Sequence, residues 1–546
     1  MARKYRLAAL VTAAVIGLAG CGGGGGSGTG GQDQPRGRDY KPPVAQGVEV
    51  REDGSQTLER NPAKDGGSLS IGLMTAAESL DPAGVVSGQA GVMRAIYDPL
   101  FVYDEKGEVQ PNLAESIETD DDGKTWVMKL PTGVKFSDGT DFNAEAVVHS
   151  LTRVAGPQSL ARSAGDIRAV ESMTAEGADT VRFVLKAPNA SFPKVLVPAG
   201  VLSAGMISSP TAVEKEGAQF GIRPVGTGPF MVKSFTPGGE IVMEKNPHYR
   251  IPGKPHLDEL KFVPATDNNA RLSAVVAGTL DMGATQSGTD LRQATDQGLT
   301  SLYQPDGTYY NVLFNLKKEP FSDPKFRKAV VQAIDNEALN DAVFDGLNTP
   351  MDGMFPPSNP YYKADSGWPA YNVDEARAAV EELKAAGKPV SMTITTTAQP
   401  EIQKQAQIVQ QMLADAGLDV QLRTADQPTM VTEALSGNFD VQIRFVEVRA
   451  EIDQSLRTLY YSTSRGNSGG AGDPEIDKLL DELQTTAGQA RKAEIYDELQ
   501  TRFAEWVPIV PLNAHRQGWY VGPKVGNFPG FRPGMADPDY RELWTS

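Results

Sequence analysis

At 546 residues the chain is several times a typical domain length, so it holds at least two substantial cores and is no peptide or lone small module. Its 40% hydrophobic, 22% charged and 7% aromatic residues describe an ordinary globular protein rather than a polytopic membrane protein, and a formal charge of −17 excludes nucleic acid as a natural partner. One cysteine, Cys21, forms no internal disulfide, and with four scattered histidines it builds no structural zinc set; no metal and no cofactor is expected.

The N-terminus reads as an address. Met1 to Arg6 carries three positive side chains, residues 7–20 carry none, and the stretch ends Leu18-Ala19-Gly20-Cys21. At 1.5 Å per residue the apolar run is about 21 Å long, short of the roughly 30 Å hydrocarbon core, so it targets without spanning. Residues 18–21 resemble the lipobox of bacterial lipoproteins, which implies cleavage before Cys21, lipidation of its thiol, and an exported body anchored to the outer face of the cell membrane through lipid alone. Removing the signal, residues 1–20, discards Arg3, Lys4 and Arg6 and leaves the exported part more acidic still. Eight of the ten residues 22–31 are glycine, and residues 21–67 lack any periodic apolar face. The stretch is expected to be a disordered tether reaching roughly 35 to 40 Å.

Order is expected from Ser68. Alternation of polar and apolar residues predicts strands over 68–73 and 125–130, with a helix over 89–96, hairpin pieces over 101–107 and a turn at Ser137-Asp138-Gly139. Asp267 is a plausible N-cap for a helix over 267–280 with Leu272, Val275, Val276 and Leu280 at helical spacing. From residue 308 the pattern becomes βα alternation: strands over 309–316, 389–395, 418–423 and 439–445, and helices over 324–344, 401–416 and 430–435. It predicts an α/β lobe with parallel strands, followed by helices over 475–482 and 491–506 and a strand over 507–512. No repeat of fixed period is present.

Eight segments, in order, share one pattern. Thr125 to Arg153, reading TWVMKLPTGVKFSDGTDFNAEAVVHSLTR, resembles the signature of bacterial extracellular solute-binding proteins of the peptide- and nickel-binding family, the receptors of ABC importers. So do Leu80-Asp81-Pro82, Ile96-Tyr97-Asp98-Pro99-Leu100, Pro224 to Phe230, Glu244 to Tyr249, Ala277 to Asp281, Phe314-Asn315 with Pro320 to Asp323, and Arg327 to Asp335. The resemblance covers about residues 68–515. It implies an α/β fold, a two-lobed clamp of the periplasmic-binding-protein kind with mixed sheets and flanking helices, its first lobe discontinuous in sequence. Lobe I is expected over 68–307 with an extra subdomain, lobe II over 308–506, and residues 507–546 as a C-terminal return to lobe I, with hinge crossings near Tyr309 and Pro508. Gly226-Thr227-Gly228 lacks the Gly-Lys-Ser/Thr ending of a phosphate loop and reads as a tight structural turn.

The same resemblance places ligand contacts in the loop after the first strand, Met74, Thr75 and Glu78, and in lobe II at Tyr309, Asn311, Arg444, Glu447, Arg449 and Asp453. The chain departs from the family where peptide-binding members carry an aspartate for the α-ammonium: Val448 stands there, with Glu447 beside it. Either Glu447 is the substitute ammonium anchor or the ligand is not a peptide with a free amino end, and the arginines suit a carboxylate by bidentate pairing. The expected function is a monomeric receptor capturing oligopeptides or peptide-like solutes and delivering them to a permease with its ATPase. The alternatives are a non-peptide solute such as an oligosaccharide, an anion or a nickel chelate, or a surface-anchored hydrolase. Against the last, no Gly-x-Ser-x-Gly elbow and no His-Glu-x-x-His is present, so no enzyme is expected.

Overall fold

The computed structural model describes residues 47–50, 55–84, 90–104, 108–198, 203–304, 308–357, 359–447, 452–470, 472–486, 488–531 and 537–546. Two main sheets define two lobes. In lobe I a seven-stranded sheet runs in the order Phe230–Phe235, Ile241–Lys245, Glu259–Pro264, Ser68–Leu73, Met282–Thr285, Gln517–Val521, Thr300–Gln304. The strand Ser68–Leu73 lies parallel to both neighbours, and the tail strand Gln517–Val521 wedges antiparallel between two strands of the body. In lobe II the order is Thr349–Pro350, Ile509–Ala514, Thr308–Phe314, Val441–Glu447, Ser391–Thr396, Asp419–Thr424.

The parallel strands expected in lobe II are part of a mixed sheet. Ser391–Thr396 is parallel to both its neighbours, but Thr308–Phe314 is antiparallel to Val441–Glu447 and to Ile509–Ala514. Only the βα units between residues 391 and 447 enforce a parallel partner; strands that enter and leave the lobe are free to run the other way. The expected return at residue 507 also moves. Ile509–Ala514 still belongs to the lobe II sheet and Gln517–Val521 to lobe I, so the chain crosses at His515-Arg516. The helix expected over 324–344 is two, Pro324–Ala333 and Asn336–Phe344, because Ile334 turns extended and the Asp335 carboxylate caps the second by accepting from the Ala338 N–H.

The extra subdomain carries its own antiparallel sheet, Ser116–Glu118, Thr125–Lys129, Thr180–Leu185, Val170–Ala175, and its own core. Its helix Ala144–Ala155 is capped by Asn143 and buries Val147, Leu151 and Val154 at helical spacing. The resemblance-bearing segments meet one another here. A Cβ on Gly228 would lie 2.4 Å from the Ile96 carbonyl carbon, which is why glycine holds that turn; the Gly228 N–H donates to the Ile96 oxygen at 2.7 Å. The Asn246 amide donates to the Gly228 oxygen, and Arg250 pairs with the buried Asp98 at 2.7 Å. These motifs build scaffold.

The folded body starts earlier than Ser68. Gln56–Glu59 pairs with Asn527–Phe528, Leu58 is fully buried in the lobe I core, and Arg60 donates to the carbonyls of Gly522 and Val525 and to the Thr300 hydroxyl. A four-residue strand with one apolar anchor has no local signature; its stability comes from a partner some 470 residues away. A chain beginning at Ser68 is expected to be about 3–5 kcal/mol less stable than one beginning at Gly47. Thermal denaturation of the two checks this, with a lowering of roughly 5–15 °C expected. Among the described residues no helix is long and apolar enough to cross a membrane.

Candidate functional site

The lobes touch in two places. On the subdomain side, the Ser191 hydroxyl donates to the Asp453 carboxylate at 2.9 Å, the Ala190 N–H reaches the Gln484 oxygen, and Gln489 pairs with Glu108. On the crossover side, Arg292 pairs with Asp345 at 2.5 Å and the His515 ring nitrogen Nδ1 faces the Gln286 oxygen at 3.3 Å. Contacts therefore bridge the lobes on both sides of the cleft.

In lobe II the cleft is walled by the ends of the strands Thr308–Phe314 and Val441–Glu447, whose register sets Tyr309 opposite Val446 and Asn311 opposite Arg444. Alternation turns Tyr309, Asn311 and Arg444 to one face, beneath the helix Ile452–Tyr460. There the Tyr460 hydroxyl donates to Tyr309, and burial pushes the Tyr309 hydroxyl up to about 12. Arg444 lies within electrostatic reach of both hydroxyls. Its Nη1 reaches the Ser468 hydroxyl at 3.4 Å, its Nε is shielded from solvent with no hydrogen-bond partner, and the Asn311 Oδ1 beside it is also unsatisfied. Desolvation pulls the guanidinium below its ordinary range. No ion pair of Arg444 occurs among the described residues, and hydroxyl and amide groups rim it.

The opposite face carries an aromatic cluster. Tyr310, Phe344 and Phe445 surround His515 with ring centroids 4.5 to 5.8 Å away, and Phe445 is 39% exposed despite its size. Burial pushes His515 down from 6.5 to about 4. A buried neutral histidine resists protonation, whereas the unfolded chain takes its proton near 6.5, so its contribution is whole above that pH and is lost as pH falls toward 4. The full loss is about 3 kcal/mol. Denaturant unfolding between pH 7 and pH 4.5 should show a steeper decline for the wild type than for His515→Phe.

The sequence-derived residues divide. Tyr309, Asn311 and Arg444 come together as described. Asp453 stands near the start of the helix Ile452–Tyr460, 11% exposed, and bonds to the other lobe rather than to the Arg444 group. Met74 is half-buried, and Thr75 and Glu78 are exposed on the lobe I loop; the Glu78 carboxylate lies by the hairpin turn at Gly238. Glu447 ends its strand opposite Thr308. The Glu447 side chain, Arg449, Val448 and Cys21 lie outside the described residues. Tyr460 and Ser468 were not foreseen, although Tyr460 sits at the end of a strongly amphipathic helical stretch, a signal that its ring packs inward. Ser191 and Lys194 carried no sequence signal at all. Among the described residues no cluster of His, Cys, Asp or Glu could hold a metal ion.

Residues 108–467 match the model of the bacterial extracellular solute-binding proteins, family 5 Middle. The glutathione-binding protein GsiB of Shigella flexneri is 30% identical over 463 residues, which cover 80% of this chain and 88% of that one. Among solved structures, AgaA from A.tumefacien R10 in complex with agropinic acid is 27% identical with a TM-score of 0.72, over 88% of this chain and 99% of that one. The oligopeptide-binding protein AppA of Bacillus subtilis in complex with a nonapeptide shares the fold, with 22% identity, a TM-score of 0.72 and coverage of 89% and 100%. The two-lobed α/β architecture and these likenesses agree, and the chain belongs to the bacterial extracellular solute-binding proteins, family 5, a binding protein and not an enzyme.

Proposed function

We propose that this solute-binding protein of an ABC importer captures oligopeptides or peptide-like solutes between its lobes, holding a carboxylate of the ligand on Arg444, and hands them to the permease. The observation that carries this is the Arg444 guanidinium, shielded at Nε and without a described counter-ion. A carboxylate entering there gains charge-assisted hydrogen bonds in a dry setting and relieves an uncompensated charge. A ligand that also contacts lobe I gains more in the shut form, which a permease can tell from the open one. Glu447 supplies the opposite pole for an ammonium. The likeness to a glutathione-binding protein supports a peptide-like ligand, glutathione being one candidate.

A second reading, an anionic solute that is not a peptide, is favoured by Val448 at the family's ammonium position and by the likeness to a protein bound to agropinic acid. Thermal shifts against glutathione, pools of di- to octapeptides and non-peptide acids separate the two. A ligand at about 100 times its Kd should add roughly 2.7 kcal/mol and raise Tm by several degrees. A response to peptides supports the first reading; a response confined to non-peptide acids replaces it with the second; a response to neither overturns both. Lipid anchoring through Cys21 belongs to the same proposal, and mass spectrometry of the native protein tests it: a mature chain starting at an acylated Cys21 is expected, and an unmodified chain starting elsewhere refutes it.

A further inference from the structure

Between the extra subdomain and lobe II lies a cavity of about 520 Å³, within the usual range for small-molecule sites. It is lined by the segment around Asn189 to Val195 and by the helices Ile452–Tyr460 and Pro474–Thr485, and none of Tyr309, Asn311, Arg444 or Ser468 reaches it. Phe192, Val195 and Leu480 give it an apolar wall. Most of its charged groups are already engaged: Arg457 pairs with Asp481 and stacks over Tyr461, and the Lys186 ammonium donates to the Arg168 oxygen. Two ends are not. Asp453 accepts from Ser191 through Oδ2, but its Oδ1 is shielded from solvent with no hydrogen-bond partner. The Lys194 ammonium stands 3.9 Å from that same Oδ1, an ion pair beyond hydrogen-bond reach, and makes no hydrogen bond among the described residues.

An acid and a base paired only loosely, at 3.9 Å without a hydrogen bond between them, complement an ammonium and a carboxylate carried on one carbon. The four charges close a square in which every neighbouring pair is attractive. Lys492, also buried nearby, is held below its usual range chiefly by desolvation, with Lys194 acting in the same sense and the carboxylates of Asp453 and Glu108 against it. We propose that this seam cavity is a second binding site, for a small zwitterion of the α-amino-acid type with an apolar side chain, its ammonium on Asp453 and its carboxylate on Lys194. Since the walls come from both lobes, the occupant binds the shut form alone, and by linkage it strengthens capture of the solute in the main cleft. The site rests on lobe closure, not on the ligand being a peptide.

L-leucine is the probe, with N-acetyl-L-leucine and L-leucinamide as twins that lack one charge each. Isothermal titration of the full chain should show saturable binding of leucine, weakened about tenfold or more in either twin. Lys194→Met should weaken leucine to the same degree, and Leu480→Trp, which fills the cavity, should abolish it, while both variants keep the wild-type thermal response to the cleft ligand found in the panel above. Should Leu480→Trp fail to fold, Lys194→Met decides alone. Absence of saturable leucine binding, or leucine binding that survives Lys194→Met and disappears in Arg444→Met, overturns the proposal without touching the receptor reading, which the panel tests in the wild-type protein.

Discussion

Arg444→Met should abolish capture of the cleft ligand while leaving the empty protein as stable as before, or slightly more so. The two halves of this expectation have one cause. In the empty protein the guanidinium is desolvated, its Nε is unsatisfied, and its one described hydrogen bond is a long one to Ser468. Replacing such a charge by an apolar side chain of similar length is often neutral or stabilising by about 1–4 kcal/mol. On the proposed reading the same charge carries the ligand's carboxylate in the complex, and losing one partner of an enclosed charged pair costs about 2–5 kcal/mol, or some thirtyfold to several thousandfold in Kd. Melting curves of the empty variant and titration with the cleft ligand read the two halves separately. A variant that binds like the wild type removes Arg444 from the site; a variant that melts far below it makes Arg444 a structural residue.

Arg327→Met should produce the opposite profile, a large loss of stability with no specific effect on binding. Arg327 is 3% exposed and sits where the helix Gln489–Trp506 ends. Its Nη2 donates to the Trp506 oxygen at 2.5 Å, its Nε to the Val507 oxygen at 2.9 Å and its Nη1 to the Phe321 oxygen at 2.7 Å. The planar fork thus satisfies carbonyls that the end of a helix leaves without partners, and its charge meets the negative end of the helix dipole. Val507, a β-branched residue held at a φ of +50°, depends on this clasp. Removing the fork leaves buried carbonyls unsatisfied, a cost of about 3–5 kcal/mol, or a fall in Tm of roughly 10 °C. Arg327→Lys keeps the charge without the fork and should fall between. A Met variant melting within about 2 °C of the wild type would refute the clasp.

How much of this was legible beforehand follows from where each interaction reaches. Ser68–Leu73 and Thr125–Lys129 show their alternation within six residues, and Asp267 announces the helix it caps, so local patterns named these elements closely. The pairing of strands is not local. Nothing within Ile509–Ala514 says that it joins the lobe II sheet, and nothing within Gln56–Glu59 says that Leu58 enters the lobe I core. The break before Asp335, whose carboxylate caps the second helix, was hidden by the apolar residues present on both sides of it.

The same division applies to the site. Tyr309 and Arg444 were within reach because the resemblance located both strands, and the antiparallel register then set Asn311 opposite Arg444. The role of Asp453 was not within reach. Its partners Ser191 and Lys194 lie some 260 residues earlier, on a subdomain whose approach to lobe II depends on closure of the whole clamp. Asp453, expected as a ligand contact, also links the lobes through Ser191 and lines the seam cavity.

The most direct measurement is a titration of the wild-type protein with one cleft-binding peptide and with its C-terminal amide, at equal ionic strength. A carboxylate held by Arg444 requires the free acid to bind about thirtyfold or more tightly than the amide, and Arg444→Met to erase that difference. Equal affinity for acid and amide in the wild type would contradict the assignment of Arg444 as the anchor of the ligand's carboxylate.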